Sequence, residues 1–310
     1  MSGSVHIVIV NWNTGKLLRE CLASIAVAAR RPGADLARVT VVDNDSADGS
    51  AEGLEESGLP LQVVRNERNL GFGAACNQGA AGSEADYLLF LNPDTRLFED
   101  TLATVTSFME GEGADRVGIC GVEVVDADGE PTISCERFPT LRILFGKMTG
   151  LHRMAPQFFP SHHISPQELL ESRPVDQVIG AFYLVRRELF ERLGGFDGRY
   201  FIYYEDVDFA LRAHQAGYES YFLKDARAFH AANVSSDQVR DLRLFHSLRS
   251  RLLYAHLHWP RRHARLLAFL TLAIELPARL IQALGRRDRA EAAATLGAYR
   301  MLVGELRSQD

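Results

Sequence analysis

Residues 5–10 read VHIVIV, a β-branched run without the polar alternation of a half-exposed strand. Such a strand has no solvent face, so the chain must cover it on both sides. The cover is close by: after NWNTG, residues Leu17, Leu18, Cys21, Leu22 and Ile25 fall on one helical stripe. The pattern repeats. VTVVD (39–43), LQVVRN (61–66), YLLFL (87–91) and VGICGVEVV (117–125) read as further strands. A glycine-punctuated loop entering a short helix (70–80) and a helix from Leu97 to Met109 lie between them. Strands alternating with helices predict βαβ units, hence an α/β fold with a mostly parallel sheet flanked by helices. Right-handed crossovers bring the carboxyl ends of such strands to one edge, where open α/β sheets bind ligands. Asn11, Asp43, Asn66 and Asn92–Asp94 all follow strands and are therefore expected on one rim.

Further along, 138–174 is irregular, with prolines, histidines and aromatics, and reads as a functional loop or lid that shapes an acceptor site. VIGAFYLVRRELFERLGGFD (178–197) predicts a strand and a short helix ended by Gly194–Gly195. YYEDVDFALRAHQAGY (203–218) predicts a helix with acids at its start, and SYFL and ARAFH predict two short strands. From Asp237 the pattern is wholly helical, with a second helix over roughly Arg262–Leu284 and a third after Asp288. The expected organisation is thus 1–236 and 237–310.

Charge separates the same two parts. From Arg240 to Asp310 there are thirteen arginines and six acids, a net +7, so the chain's total of −6 leaves −13 on the rest. The acidic body argues against nucleic acid as its partner. The basic helical tail, with Leu, Phe and Ile faces, fits either an anionic membrane surface or packing within the chain or between copies. Its most apolar stretch, Leu266–Ile274, is nine residues long and is followed by Glu275, Pro277 and Arg279, so no membrane span is expected. The N-terminus shows no basic region followed by a long apolar core. The four cysteines have no paired or metal-ligand spacing. Together these features predict a cytoplasmic protein, peripheral on the membrane if the tail binds it.

Several positions carry chemistry on their own residue types. Asp43 at a strand end can accept hydrogen bonds from a pyrimidine N–H, or cap the turn that follows. The glycines of 69–79 can bring backbone N–H groups close to phosphate, although neither the dinucleotide fingerprint nor the P-loop is present. Asp94 in Asn-Pro-Asp forms a turn, or holds Mg²⁺ or Mn²⁺. Glu205, Asp206 and Asp208 at a helix start complement its dipole, or supply a general base. His230 is a structural histidine or a borderline metal ligand.

Taken in order, VIVNWNTG, VVDNDSADGS, RNLGFGAACNQG, LFLNPDT, GAFYLVRRELFERLGGFD, YYEDVDFALRAHQAGY and AFH resemble the family 2 glycosyltransferases of GT-A fold, in the bacterial rhamnosyltransferase-like branch. The resemblance covers about residues 5–236. It implies a Rossmann-like nucleotide-diphospho-sugar transferase sheet with a C-terminal helical extension. Asn11 and Asp43 would contact the nucleoside, and Asn69, Gly71 and Asn77 would line the diphosphate. Asn92 replaces the first acid of the family's DxD motif, while Asp94 and His230 would bind the metal. Asp206 would be the catalytic base, with Glu205 and Asp208 on the acceptor side or supporting it. The implied reaction is inverting transfer of a sugar, with dTDP-L-rhamnose as donor, to a glycan or lipid-diphosphate-linked acceptor in cell-surface polysaccharide synthesis. Two other readings remain at this point: a sugar-1-phosphate nucleotidyltransferase, and a catalytically silent sugar-nucleotide-binding protein. Asn11-Trp12-Asn13 does not fit the Gly- and Arg-rich N-terminal loop of the former.

Overall fold

The VHIVIV run lengthens into β1 (Ser4–Asn11), which lies between two parallel neighbours inside the main sheet. In the computed structural model, residues 3–231 and 240–308 are described. The elements follow as α1 (Leu17–Ala28), β2 (Asp35–Asp43), β3 (Leu61–Arg65), α2 (Phe72–Ala80), β4 (Tyr87–Leu91), β5 (Thr95–Leu97), α3 (Thr101–Met109) and β6 (Val117–Val125). Then come β7 (Cys135–Glu136), α4 (Leu141–Thr149), α5 (Leu151–Met154), β8 (His163–Ile164), β9 (Arg173–Val175), β10 (Gln177–Val178), β11 (Phe182–Arg186), α6 (Arg187–Arg192), α7 (Glu205–Gln215) and β12 (Glu219–His230). The chain closes with α8 (Arg240–His258), α9 (Arg261–Leu270), α10 (Leu276–Gly285) and α11 (Arg289–Ser308).

The chain divides into two compact units. The first comprises 1–137, 163–199 and 205–235; the second 138–162, 200–204 and 236–310. The boundary expected at 236/237 falls outside the described residues.

In the described residues of the first unit, the main sheet runs β3-β2-β1-β4-β11-β6-β12-β5, with β9 paired to β12. β3, β2, β1 and β4 are parallel, as the βαβ pattern requires. β11 is antiparallel to both β4 and β6, which makes the sheet mixed. This reversal matters for the site, because the start of β11 lies at the same edge as the ends of β1, β2 and β4. A smaller sheet, β10-β7-β8, stands beside it. The two short strands read at SYFL and ARAFH are one strand, β12, whose register on β6 shifts between Leu223 and Arg227. Leu97 ends β5 rather than starting a helix; α3 begins at Thr101, whose hydroxyl accepts a hydrogen bond from the Phe98 N–H.

One face of the sheet buries Ile7, Ile9, Val39, Val41, Leu89 and Leu184 against the stripe Leu18, Cys21, Leu22 and Ile25 of α1. Elsewhere Phe90, Phe190, Phe196, Phe209 and Tyr183 form an aromatic cluster, with ring centroids of Phe196 and Phe209 5.5 Å apart. Such pairs add about 0.5–1.5 kcal/mol each beyond their buried area. Phe209 belongs to α7, so this cluster fixes the helix that carries the acids. α2 approaches β1 and β2 so closely that a Cβ on Gly79 would meet Val8 Cγ1 at 2.5 Å and Val42 Cγ2 at 2.9 Å.

The second unit is helical. Leu144 and Met148 of α4 pack with Ala255 and Leu267, and Leu248 packs with Tyr299 and Leu302. The segment 138–174, read as an irregular lid, is instead largely built into elements. Thr140 accepts a hydrogen bond from Ile143 N and caps α4, and Gly150 ends it in a left-handed turn. α9, a π-helical turn (Thr271–Glu275) and α10 make one continuous helix, Arg261–Gly285. By length and composition alone this helix could cross a membrane, although its most apolar stretch is only nine residues long. Pro277 does not break it, because it falls in the first turn of α10 after the π turn, where a missing N–H is tolerated.

Candidate active site

Asn11 and Asp43 end paired strands in register with one another. Asn11 is fully buried, and its amide N–H₂ faces Asp43 Oδ1 (2.9 Å), Ser50 Oγ (2.8 Å) and Ser46 Oγ (3.1 Å). Its amide oxygen accepts from the Thr14 hydroxyl. Asn11 therefore ties the loop after β1 to the loop after β2, and it orients the Asp43 carboxylate.

Asn44, which the sequence reading did not single out, organises the next loop. It is buried, donates to Asn69 Oδ1 (2.8 Å) and to the Gly71 carbonyl (3.2 Å), and accepts from Leu70 N and Asn66 Nδ2. Asn69 Oδ1 also accepts from Gly71 N at 2.9 Å. Gly71 takes φ 86°, which turns the loop into α2. Asn77 exchanges two hydrogen bonds with the backbone of Phe196, 2.8 Å and 2.9 Å, so its amide joins α2 to a segment 119 residues later. Asn69, Gly71 and Asn77 are thus engaged within the protein.

β4 leads directly into the Asn-Pro-Asp turn. Thr95 N donates to Asn92 O at 3.0 Å, with Pro93 at the position where its fixed φ favours such a turn. The turn does not exclude chemistry at Asp94. β5 pairs with the end of β12, Thr95 opposite His230, and this brings His230 Nε2 to 3.2 Å from Asp94 Oδ1. Asn92 Nδ2 lies 3.5 Å from the same nitrogen. A carboxylate and an imidazole at this spacing form a donor set suited to Mn²⁺ or Mg²⁺. No group of three or more His, Cys, Asp or Glu able to hold a metal occurs among the described residues. A cation here would complete its shell with phosphate oxygens and water, as such ions do at diphosphates.

α7 begins after Tyr203 and Tyr204, both left-handed (φ 66° and 72°). Its three acids have three different environments. Asp208 is buried and binds Arg212 at 2.7 Å; Arg212 in turn donates to the carbonyls of Leu193 and Gly195. Glu205 is buried, its Oε2 has no hydrogen-bond partner, and burial followed by the neighbouring Asp206 pushes its pKa well above the usual carboxylate range. Asp206 is half-buried. Burial, and then the Glu136 carboxylate, raise its pKa to about 6. Glu136 is held by Gln177 Nε2 at 2.6 Å and His163 Nδ1 at 2.7 Å.

One short segment joins the metal-type pair to the acids. The Ala181 carbonyl accepts from Asn92 N (3.1 Å) and from Thr95 Oγ1 (3.2 Å). The adjacent Gly180 has Asp206 Oδ2 3.3 Å from where its Cβ would be. Asp43 lies on the same strand-end rim, since β1 lies between β2 and β4. Sequence reasoning missed Asn44, Glu136, Gly180 and Arg212. The cluster of asparagines at the ends of β2 and β3 was the available signal for the first; pairings across distant strands left none for the others.

Such a rim is the ligand-binding edge of an open α/β sheet, and the comparisons narrow the class of protein. Residues 6–194 match the family described as Glycosyl transferase family 2. The N-acetylglucosaminyl-diphospho-decaprenol L-rhamnosyltransferase of Mycobacterium tuberculosis is 30% identical over 264 residues, which is 79% of this chain and 82% of that protein. The rhamnosyltransferase WbbL of Escherichia coli is 30% identical over 152 residues, 49% of this chain and 54% of that one. In fold, the chain is similar to the mannosyltransferase PcManGT of Pyrobaculum calidifontis, solved with GDP-Man and Mn²⁺ (TM-score 0.58, 18% identity, 98% of this chain and 88% of that one). The protein belongs to the family 2 glycosyl transferases, with the GT-A fold, and is rhamnosyltransferase-like.

Proposed function

We propose that the protein is an inverting glycosyltransferase that moves L-rhamnose from dTDP-L-rhamnose to a hydroxyl of a lipid-diphosphate-linked glycan, on the cytoplasmic side of the membrane. The observation that carries this reading is the position of Asp206. It is half-buried with a pKa raised to about 6, and it lies beside the Gly180–Ala181 segment that also anchors the Asp94 turn. A base with such a pKa is mostly ionised at neutral pH yet basic enough to accept a proton.

In this reading Asp43, oriented by Asn11, receives the base and nucleoside end of the donor. Asn44, Asn69 and Gly71 fix the loop beneath the diphosphate, and Asn77 fixes the packing of α2. Asp94 and His230, with Asn92 beside them, would hold a divalent cation, which would neutralise charge on the departing diphosphate. Asp206 takes the proton of the acceptor hydroxyl as its oxygen bonds to the anomeric carbon. The bond from that carbon to the diphosphate oxygen breaks, and its electron pair leaves with the nucleoside diphosphate. A single displacement with one base inverts the anomeric centre. The two rhamnosyltransferase relatives support the sugar, and the first of them supports a lipid-diphosphate acceptor.

The test is a panel of nucleotide sugars with Mg²⁺ or Mn²⁺, scored for thermal stabilisation, donor hydrolysis and transfer to a polyprenyl-diphosphate-linked N-acetylglucosamine. Selective turnover of dTDP-L-rhamnose is expected. Turnover of a different donor overturns the sugar assignment, and donor binding without any turnover overturns the enzyme reading.

A further inference from the structure

The continuous helix Arg261–Gly285 is packed on one side only. Leu267, Thr271, Glu275 and Ala283 are buried, and Glu275 is clamped there by Arg251 of α8 and Arg279. The other side is bare. Leu266, Phe269, Ile274, Ile281 and Leu284 are 41%, 63%, 37%, 70% and 67% exposed, a density of large apolar side chains that a water-facing helix does not carry. Their spacing keeps them on one stripe along the whole helix. Arginines crowd both ends of that stripe: Arg261, Arg262 and Arg265 at its start, Arg286, Arg287 and Arg289 just past its end, with Asp288 the one acid among them, and all are exposed.

We infer that this stripe is a docking surface for an anionic lipid bilayer, on which the helix lies in the plane of the interface. Apolar side chains would enter the acyl boundary while the flanking arginines meet lipid phosphates. A second copy of the chain fits the surface poorly. Parallel pairing would set the starting arginines against each other, and antiparallel pairing would set them against the terminal ones. A transmembrane orientation fits poorly too, because it would strip Glu275 from Arg251 and expose the packed face of Leu267 and Thr271. The inference stands on the helical unit and does not depend on the glycosyl-transfer reading. It goes beyond a basic tail in assigning the residues that bind and the orientation of the helix.

The experiment uses the full chain with sedimentable vesicles, either of phosphatidylcholine alone or of phosphatidylcholine with phosphatidylglycerol. The expected result is binding to the anionic vesicles that falls about tenfold or more on zwitterionic vesicles and in high salt. The triple variant Phe269→Ser, Ile281→Ser, Leu284→Ser should lose about tenfold or more of that binding with unchanged circular dichroism. Arg261→Gln, Arg262→Gln, Arg265→Gln tests the charge in a variant that leaves the apolar stripe intact, and it too should bind less. Absence of binding to anionic vesicles, or binding by both variants equal to that of the wild type, overturns the inference. So does a wild-type dimer in solution that the serine variant dissolves without vesicle binding. Retention of the protein in membranes after alkaline carbonate washing would show a span and would overturn the in-plane orientation.

Discussion

Asp206 Oδ2 sits 3.3 Å from the position a Cβ would take on Gly180. That space is tighter than ordinary van der Waals contact, so Gly180→Ala should push the carboxylate aside rather than fill a void. We expect kcat to fall about tenfold or more with little change in donor KM, since positional errors near reacting groups act on the chemical step. Steady-state kinetics of the variant checks this, with a melting curve to show that it folds.

Asp206→Asn should lower turnover by about 10²–10⁴-fold while leaving donor affinity intact by calorimetry. Its pKa near 6 also sets a pH limb. Activity should decline as pH falls through about 6, because protonation removes the base. Burial is the larger cause of that value and the Glu136 carboxylate the second. Glu136→Gln should therefore move the limb to lower pH without abolishing it.

Asp94→Ala and His230→Ala should each weaken donor binding in the presence of Mn²⁺ and leave metal-free donor binding little changed. Calorimetric titrations with and without the metal read this directly. Equal donor affinity for wild type and variants with metal present would remove the pair from the proposed cation site.

Glu205 makes a prediction about stability. Its pKa is raised in the folded state, so its native carboxyl stays protonated while the unfolded one ionises. Below the unfolded pKa, about 4.3, both states are protonated and nothing is lost. Above it, folding stability drains away as pH rises towards the folded value. Glu205→Gln should remove that loss, so the variant should gain on wild type progressively above about pH 4.3 in denaturant titrations run at several pH values.

In the helical unit, Arg251 and Glu275 are both buried and paired. Against burial, which acts to raise it, Arg251 and Arg279 hold the Glu275 carboxyl below its usual range. Arg251→Met would strand that carboxylate with Arg279 alone and should cost about 3–5 kcal/mol. The double variant with Glu275→Leu should recover part of the loss, which a double-mutant cycle measures.

The parallel half of the sheet was legible because β1, β4 and the second half of β2 are apolar runs followed by a polar break, and the shorter, less buried β3 repeats the pattern in LQVVRN. The rim followed from that, since strand ends of one polarity share an edge. What was not legible came from pairings between distant strands. Nothing local in FYLVR says that β11 reverses direction, and nothing in CE or QV marks the small sheet that holds Glu136. The asparagines show the same division. Their placement at strand ends was readable, but Asn11 and Asn77 proved to be joined to partners 39 and 119 residues away. The helix Arg261–Gly285 was legible nearly to its ends, as Arg262–Leu284; the π turn at Thr271–Glu275, after which Pro277 enters the first turn of a new helical segment, left no signal in the sequence.

The mutual bonds between the Asn77 amide and the Phe196 peptide have a practical reach. They staple an early helix to the connection between α6 and α7, so no cut between the two leaves both pieces with their partners. A fragment that holds position 77 without 196 would carry a part-buried amide with no mate. Exchanges among relatives should be drawn to keep both residues from a single parent.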